Sequence, residues 1–208
     1  AQEALLAEGW PVADLAFDND VEAYASSAKL TTTTGDLIIT AKETASVTST
    51  ATAASAGFSG LFSAAVSGAI SDATIATTTL AYADPVELKI GGDIAIDGIS
   101  TATGSATTIA NSTSAAFISI SGAVTEATAD VTPAVEARLG GYTGEDEDRV
   151  IQAGGTIAVV ATQAGTATSE AVGDIEAVGF SVAVGATSAL ASIASPDADT
   201  PSVKSSIS

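Results

Sequence analysis

Apolar and polar residues alternate along much of this chain. In "VELKIGGDIAIDG", Val86, Leu88 and Ile90 fall on one side and Glu87 and Lys89 on the other. After the glycine pair, Ile94 and Ile96 face one way, and Asp93, Ala95 and Asp97 the other. "GTIAVV" repeats the phrase with Ile157 and Val159, "FISIS" with Ile118 and Ile120, and "FSVAVG" with Val182 and Val184. A period of two marks half-buried β-strands and predicts that these aliphatic residues point inward. Thr, Ser, Val and Gly are poor helix formers, so helix is the weaker reading for most of the chain. Gly91-Gly92 and Gly154-Gly155 sit between strands, where the chain must bend. The start differs. "AQEALLAEGW" has Ala, Leu and Glu in helical proportions and is closed by Pro11, which predicts a short helix over Gln2–Glu8.

The alternating phrases recur in a fixed order. Gly35, Gly92 and Gly155 each precede an aliphatic phrase and are spaced by 57 and 63 residues. The longer unit holds an extra acidic loop, "GYTGEDEDR" (141–149), which accounts for the surplus. Phe58, Phe117 and Phe180 follow their glycines by 23, 25 and 25 residues. A third anchor reads "VEAYAS" from Val21, "TLAYAD" from Thr79, "VEARLG" from Val135 and "VKSSIS" from Val203. Internal repetition of this period indicates a solenoid, propeller or array, in which one unit buries its apolar face only against its neighbours. The expected organisation is a helix or loop cap or insertion over residues 1–20. Repeats over 21–78, 79–134 and 135–202 follow, with a partial one at 203–208. The start shows no basic n-region and no long apolar h-region. The chain therefore reads as a piece of something longer, or as a mature processed product.

Composition narrows the function classes. Aromatic residues make up only 4% of the 208, so small side chains must fill the interior. With 25 acidic against 6 basic residues, the net charge of −19 argues against nucleic acid and anionic membrane surfaces. Two runs of 28 residues without charge, Thr44–Ser71 and Gly98–Thr125, are too rich in Ser, Thr and Gly for transmembrane helices, and no membrane insertion is expected. Cys and His are both absent, which removes disulfides, thiol chemistry and the usual zinc, copper and haem ligands. Lack of cysteine also fits export.

Carboxylate pairs such as Asp93 and Asp97 suit glycosidase chemistry, but six basic residues and one Trp give little with which to hold sugar. The expectation is no enzyme, the alternative being a carbohydrate-active β-helix lyase or hydrolase. Two acidic stretches are candidate calcium sites: Asp18, Asp20 and Glu22 in "FDNDVEAY", and Glu145, Asp146, Glu147 and Asp148 in "GEDEDR". Calcium takes six to eight oxygen ligands from such clusters, but neither stretch has hand-loop or calcium-roll spacing, and both also read as solvated acidic loops. No other cofactor is expected. Asn111-Ser112-Thr113 fits a glycosylation sequon. "TTTTG" and "TATGSATT" are fragments of the regular Thr ranks that bind ice on flat solenoids; an uncharged Ser/Thr/Ala face also suits packing against another copy.

The strand "VEARL" (Val135–Leu139), then "GGTIAV" (Gly154–Val159), a Ser/Thr/Ala tract and "GFSVAV" (Gly179–Val184) resemble the repeats of large secreted bacterial adhesins, the filamentous-haemagglutinin-like and autotransporter-type passengers. The resemblance covers most of Val21–Ser208. It implies an all-β fold, a right-handed parallel β-helix (β-solenoid), with the 60-residue unit making two or three coils. It further implies an extracellular or cell-surface stalk or adhesive fibre. Its partners would be further copies or repeats of the same protein, and a host receptor or glycan. A self-assembling fibre or surface-layer subunit is the remaining alternative.

Overall fold

The computed structural model describes residues 11–26, 29–85, 87–140, 150–194 and 203–207, and every regular element in it is a strand. In chain order these are β1 (Val12–Ser26), β2 (Lys29–Thr31), β3 (Leu37–Phe58), β4 (Phe62–Asp84), β5 (Glu87–Ile90), β6 (Ile94–Leu139), β7 (Val150–Ala153), β8 (Ile157–Ile193) and β9 (Val203–Ile207). All pairings are parallel. The protein is thus all-β, built of long parallel strands in a curled sheet. The helix expected over Gln2–Glu8 lies outside the described residues. β1 pairs with β4 from Val12 onward, so the sheet begins before the expected boundary at Val21.

Strand partners are one repeat apart. Leu37 lies beside Ile94 and Ile94 beside Ile157, which places the three Gly anchors in one corner. The third anchor also aligns as its sequence predicts: Val21, Thr79, Val135 and Val203 are successive partners. The expectation of two or three coils per unit is corrected by this register. Each repeat makes a single wide circuit: β3 runs out, residues 59–61 turn, β4 runs back, and β5 forms a short third side. The uncharged runs have few breakers, so strands of 22 and 23 residues consume the unit. The short sides stack separately as β2, β5 and β7.

The interior tapers. At the three-sided end Ile39, Leu88, Ile90, Ile94, Ile96 and Leu139 pack together. Midway the filling is Ala with Val47, Ile75 and Val131. Towards the 59–61 turn only Ala51, Ala69, Ala110 and Ala123 remain. There the two long sides nearly touch: Ser112 Oγ donates to Ala65 O across the gap at 2.8 Å, and a Cβ on Gly57 would lie 2.6 Å from Ala64 O.

The taper overturns one expectation. Ile118, Ile120, Val182 and Val184 point outward and are exposed, while Ser119 and Ser121 are buried. The alternation was read correctly and its phase was not. Near the thin edge Ser, Ala and Gly fill most of the inside, with Ile175 reaching in opposite Gly185, so the β-branched residues of these two phrases take the outer rows. The Phe anchors are likewise out of step: Phe58 pairs with Ala115, and Phe180 pairs with Ile118, because the register shifts between Ala115 and Ile118. Phe117 lies in that shift and meets Phe180 edge-on, with ring centroids 5.3 Å apart.

At the wide corner, circuit sits directly on circuit. Gly92 N–H donates to Gly35 O and Gly155 N–H to Gly92 O, both at 2.9 Å. Asp36 accepts from Asp93 N–H at 2.8 Å, and Asp93 from Thr156 N–H at 2.6 Å. A Cβ on Gly154 would stand 2.2 Å from Gly91 O, a backbone atom that cannot swing away. Gly60 has nothing within 4 Å of such a Cβ. Gly154→Ala is therefore expected to cost about 1–3 kcal/mol through backbone displacement, and Gly60→Ala to stay within about 0.5 kcal/mol of wild type. Urea melts of the two variants check this.

Candidate functional site

The outward rows of the first long side carry hydroxyls in register. Thr44, Ser46, Thr48 and Thr50 of β3 lie beside Thr101, Thr103, Ser105 and Thr107 of β6. The next strand adds Thr166 and Thr168 beside Thr103 and Ser105, with Ala164 and Glu170 at the flanks. Of the two Thr fragments legible in sequence, "TATGSATT" supplies the middle row of this three-row grid, while "TTTTG" lies at the wide corner outside it. The grid's spacing is that of the sheet, about 4.8 Å between rows and about 6.6 Å along them. Only the pairing register reveals it, since its columns join residues 57 or 63 apart.

The second long side carries the first candidate calcium stretch. Asp18, Asp20 and Glu22 occupy alternate positions of β1, partnered by Ala76, Thr78 and Leu80. All three are exposed on one outward row. Neighbours on such a row stand about 6.6 Å apart, so the carboxylates line up rather than surround one ion. Among the described residues no group of three His, Cys, Asp or Glu side chains is placed to hold a metal. Glu145, Asp146, Glu147 and Asp148 lie outside the described residues. Asn111 of the sequon is exposed on the outward row of β6. Beside the β1 acids runs an aromatic column: Tyr24 and Tyr82 stack at 5.1 Å, and the Arg138 guanidinium lies 4.8 Å from the Tyr82 ring centre.

Sequence reading missed the polar seam between the two sides. Glu43, on the inward row of β3, is 4% exposed. Thr79 Oγ1 donates to its Oε2 and Asn19 Nδ2 to its Oε1, each at 3.1 Å. Ser100 lies beside Glu43 on the next strand and Gln163 beside Ser100. Period-two patterning places Glu43 inside, between Ala41 and Ala45, but composition alone suggests a solvated Lys-Glu pair with Lys42.

At the wide corner a shallow groove of about 540 Å³ is lined by Thr32, Lys89, Gly91, Gln152 and neighbouring backbone, and no carboxylate pair stands on its walls. No helix among the described residues is long and apolar enough to cross a membrane. The chain matches no protein-family model, and comparison with curated proteins and with solved structures gives no significant match.

Two predictions follow from the carboxylates. Burial raises the Asp72 carboxyl above its usual value, helped by Asp14 on the neighbouring strand and, more weakly, by Asp130. An acid whose folded pKa is raised disfavours its charged form on folding. The penalty is present above the raised value and vanishes below the unfolded one. Asp72→Asn should thus raise the melting temperature slightly at neutral pH and leave it unchanged at about pH 3. Glu43→Ala should destabilise by about 1–3 kcal/mol, because Thr79 and Asn19 lose their acceptor inside the fold. Glu43→Gln should cost less, and chemical denaturation ranks the pair.

Proposed function

We propose that the chain is a β-solenoid serving as a structural repeat module, a stalk or self-associating fibre of an extracellular bacterial adhesin or surface filament, without catalysis. The observation that supports this reading is the register, in which every repeat is one circuit and pairs along nearly its whole length with the next. Such a molecule lengthens by repetition, and its outer rows are free to vary. The acidic surface, with net charge −19, keeps such rods apart and soluble. Its partners on this reading are further repeats or copies of itself along the rod axis and a surface receptor or glycan at the outer rows. Right-handed coiling belongs to the same proposal.

A second reading rests on the hydroxyl grid. Three in-register rows of Thr and Ser, a patch without charge between Lys42 and Asp97 at one end and Glu170 at the other, present methyl and hydroxyl groups at regular spacing, which suits an ordered water lattice. Slowed recrystallisation of ice by the wild type, lost in Thr103→Lys, would favour it.

The stalk reading is tested by inserting a second copy of residues 94–156 after residue 156. The expected product is folded, melts higher, and is longer by one circuit, about 4.8 Å, in small-angle scattering. An inserted chain that unfolds, or bulges out without lengthening the rod, would rule out extension by repetition.

A further inference from the structure

The thin edge of the second long side carries an outward surface that the described residues leave largely uncovered, with Gly68 alone buried. Alternate residues read Phe-Ala-Val-Gly in β4 from Phe62, Ile-Ile-Gly-Val in β6 from Ile118 and Phe-Val-Val-Ala in β8 from Phe180, in register across the three strands. All twelve positions are apolar, whereas the same side carries Asp72, Glu126 and Asp130 further along its outward rows. The rows directly beneath hold only small residues, the buried Ser63, Ser67, Ser119 and Ser121 alternating with Ala65, Ala69 and Ala123. The ordinary in-out distribution of a half-buried sheet is inverted here.

We propose that this surface is a lateral interface with a second copy of the same chain, formed about a twofold axis. Three observations choose that occupant. The eight large side chains of the patch, from Val124 at 38% exposed to Phe180 at 73%, present on the order of 800 Å², each partner's share of a standard interface. The patch is neutral on a chain of net charge −19, so two copies meet there with the least repulsion. It is also self-complementary. Gly122 leaves a notch of about one methyl between Val66 and Val184, where a Cβ would already meet Val184 O at 3.3 Å and Val66 Cγ2 at 3.7 Å. Ile120, 40% exposed, points outward two residues away on the same strand and can offer its terminal methyl. A twofold axis between them seats the Ile120 of each copy in the notch of the other, as an isologous contact requires. This pairing is side by side and closes at two chains, whereas stacking along the rod axis is open-ended, so it stands or falls separately from the stalk reading.

Sedimentation equilibrium of the full chain over micromolar to submillimolar concentrations tests it. The expected result is a monomer–dimer equilibrium that tightens with added salt, as charge repulsion is screened. Ile120→Glu with Val184→Glu should weaken it at least about 30-fold, the effect of losing central contacts. Thr48→Glu, on the opposite side, should leave it unchanged. Because the chain has no cysteine, Ile120→Cys supplies an independent readout that does not need the charged variant to fold. It should give a covalent dimer with a short bismaleimide reagent, which bridges the two positions on either side of the axis where a direct disulfide could not, and Thr48→Cys should not. A wild type that stays monomeric throughout, a mass that climbs past two chains, or an Ile120→Cys chain that does not cross-link would overturn the proposal. So would monomers that bind phosphatidylcholine vesicles through Val184, which would make lipid the occupant.

Discussion

The backbone ladder between successive circuits is the interaction on which the rest of this structure depends. Each circuit is two long strands and a short one, and alone it has neither a core nor partners for its peptide groups. Parallel pairing with the circuit above and below supplies both. The ladder tolerates no slip, since a shift of one residue would turn every inward row outward. The wide corner guards against that slip. Asp36 holds the N–H of Asp93, and Asp93 holds that of Thr156, so each circuit is pinned to the next at the point where its long strand begins. The glycines beside those residues let the corners approach to backbone contact.

Once the ladder fixes the circuits, side-chain size fixes the cross-section. Leucine and isoleucine hold the sides apart at the three-sided end, alanine and valine in the middle, and alanine and serine draw them together at the edge. The gradient explains how a chain with 4% aromatic residues encloses an interior at all. It also explains the inverted edge: where the gap closes to a serine's reach, the bulky residues of the strand have only the outside. Hydroxyls inside this edge divide: Ser112, Ser119 and Ser121 find partners, while those of Ser63, Ser67 and Ser114 have none among the described residues.

The strand periodicity, the repeat and its register were legible in the residues. Val21, Thr79, Val135 and Val203 aligned in sequence as they pair in space, because each circuit must repeat its corner to be stacked. Which side of an alternating strand faces inward was legible only where the inner residues are large. "DIAIDG" has one apolar row and one polar row, so Ile94 and Ile96 could be placed. "FSVAVG" and "FISIS" carry the same alternation, but the thickness of the section at their position is set by the side that faces them across the turn, as Ser112 faces Ser121 and Ala65, and not by the strand itself. The hydroxyl grid and the Glu43 seam were hidden for the same reason, since both are columns across circuits rather than phrases along one.

Charge and apolar surface are thus divided along a single side of the molecule, acids from Asp72 towards the wide end and a neutral edge beyond Gly68. β4 and β6 contribute to both; on this side β1 adds carboxylates without an edge row among the described residues, and β8 adds an edge row without a carboxylate. Stacking a further circuit like those of β4 and β6 brings carboxylates within a sheet spacing of those already present, as Asp14 stands to Asp72, and adds repulsion between them. The same circuit adds one more apolar row to the edge, and that gain grows with length too. Repulsion among exposed carboxylates is screened beyond about 8 Å at physiological salt, whereas contact between apolar rows is not. In a long rod the edge term therefore accumulates row by row while the acid term is limited to near neighbours. On the stalk and lateral-pairing proposals, a longer rod would lie more readily alongside its like, with the acidic flank left in solvent.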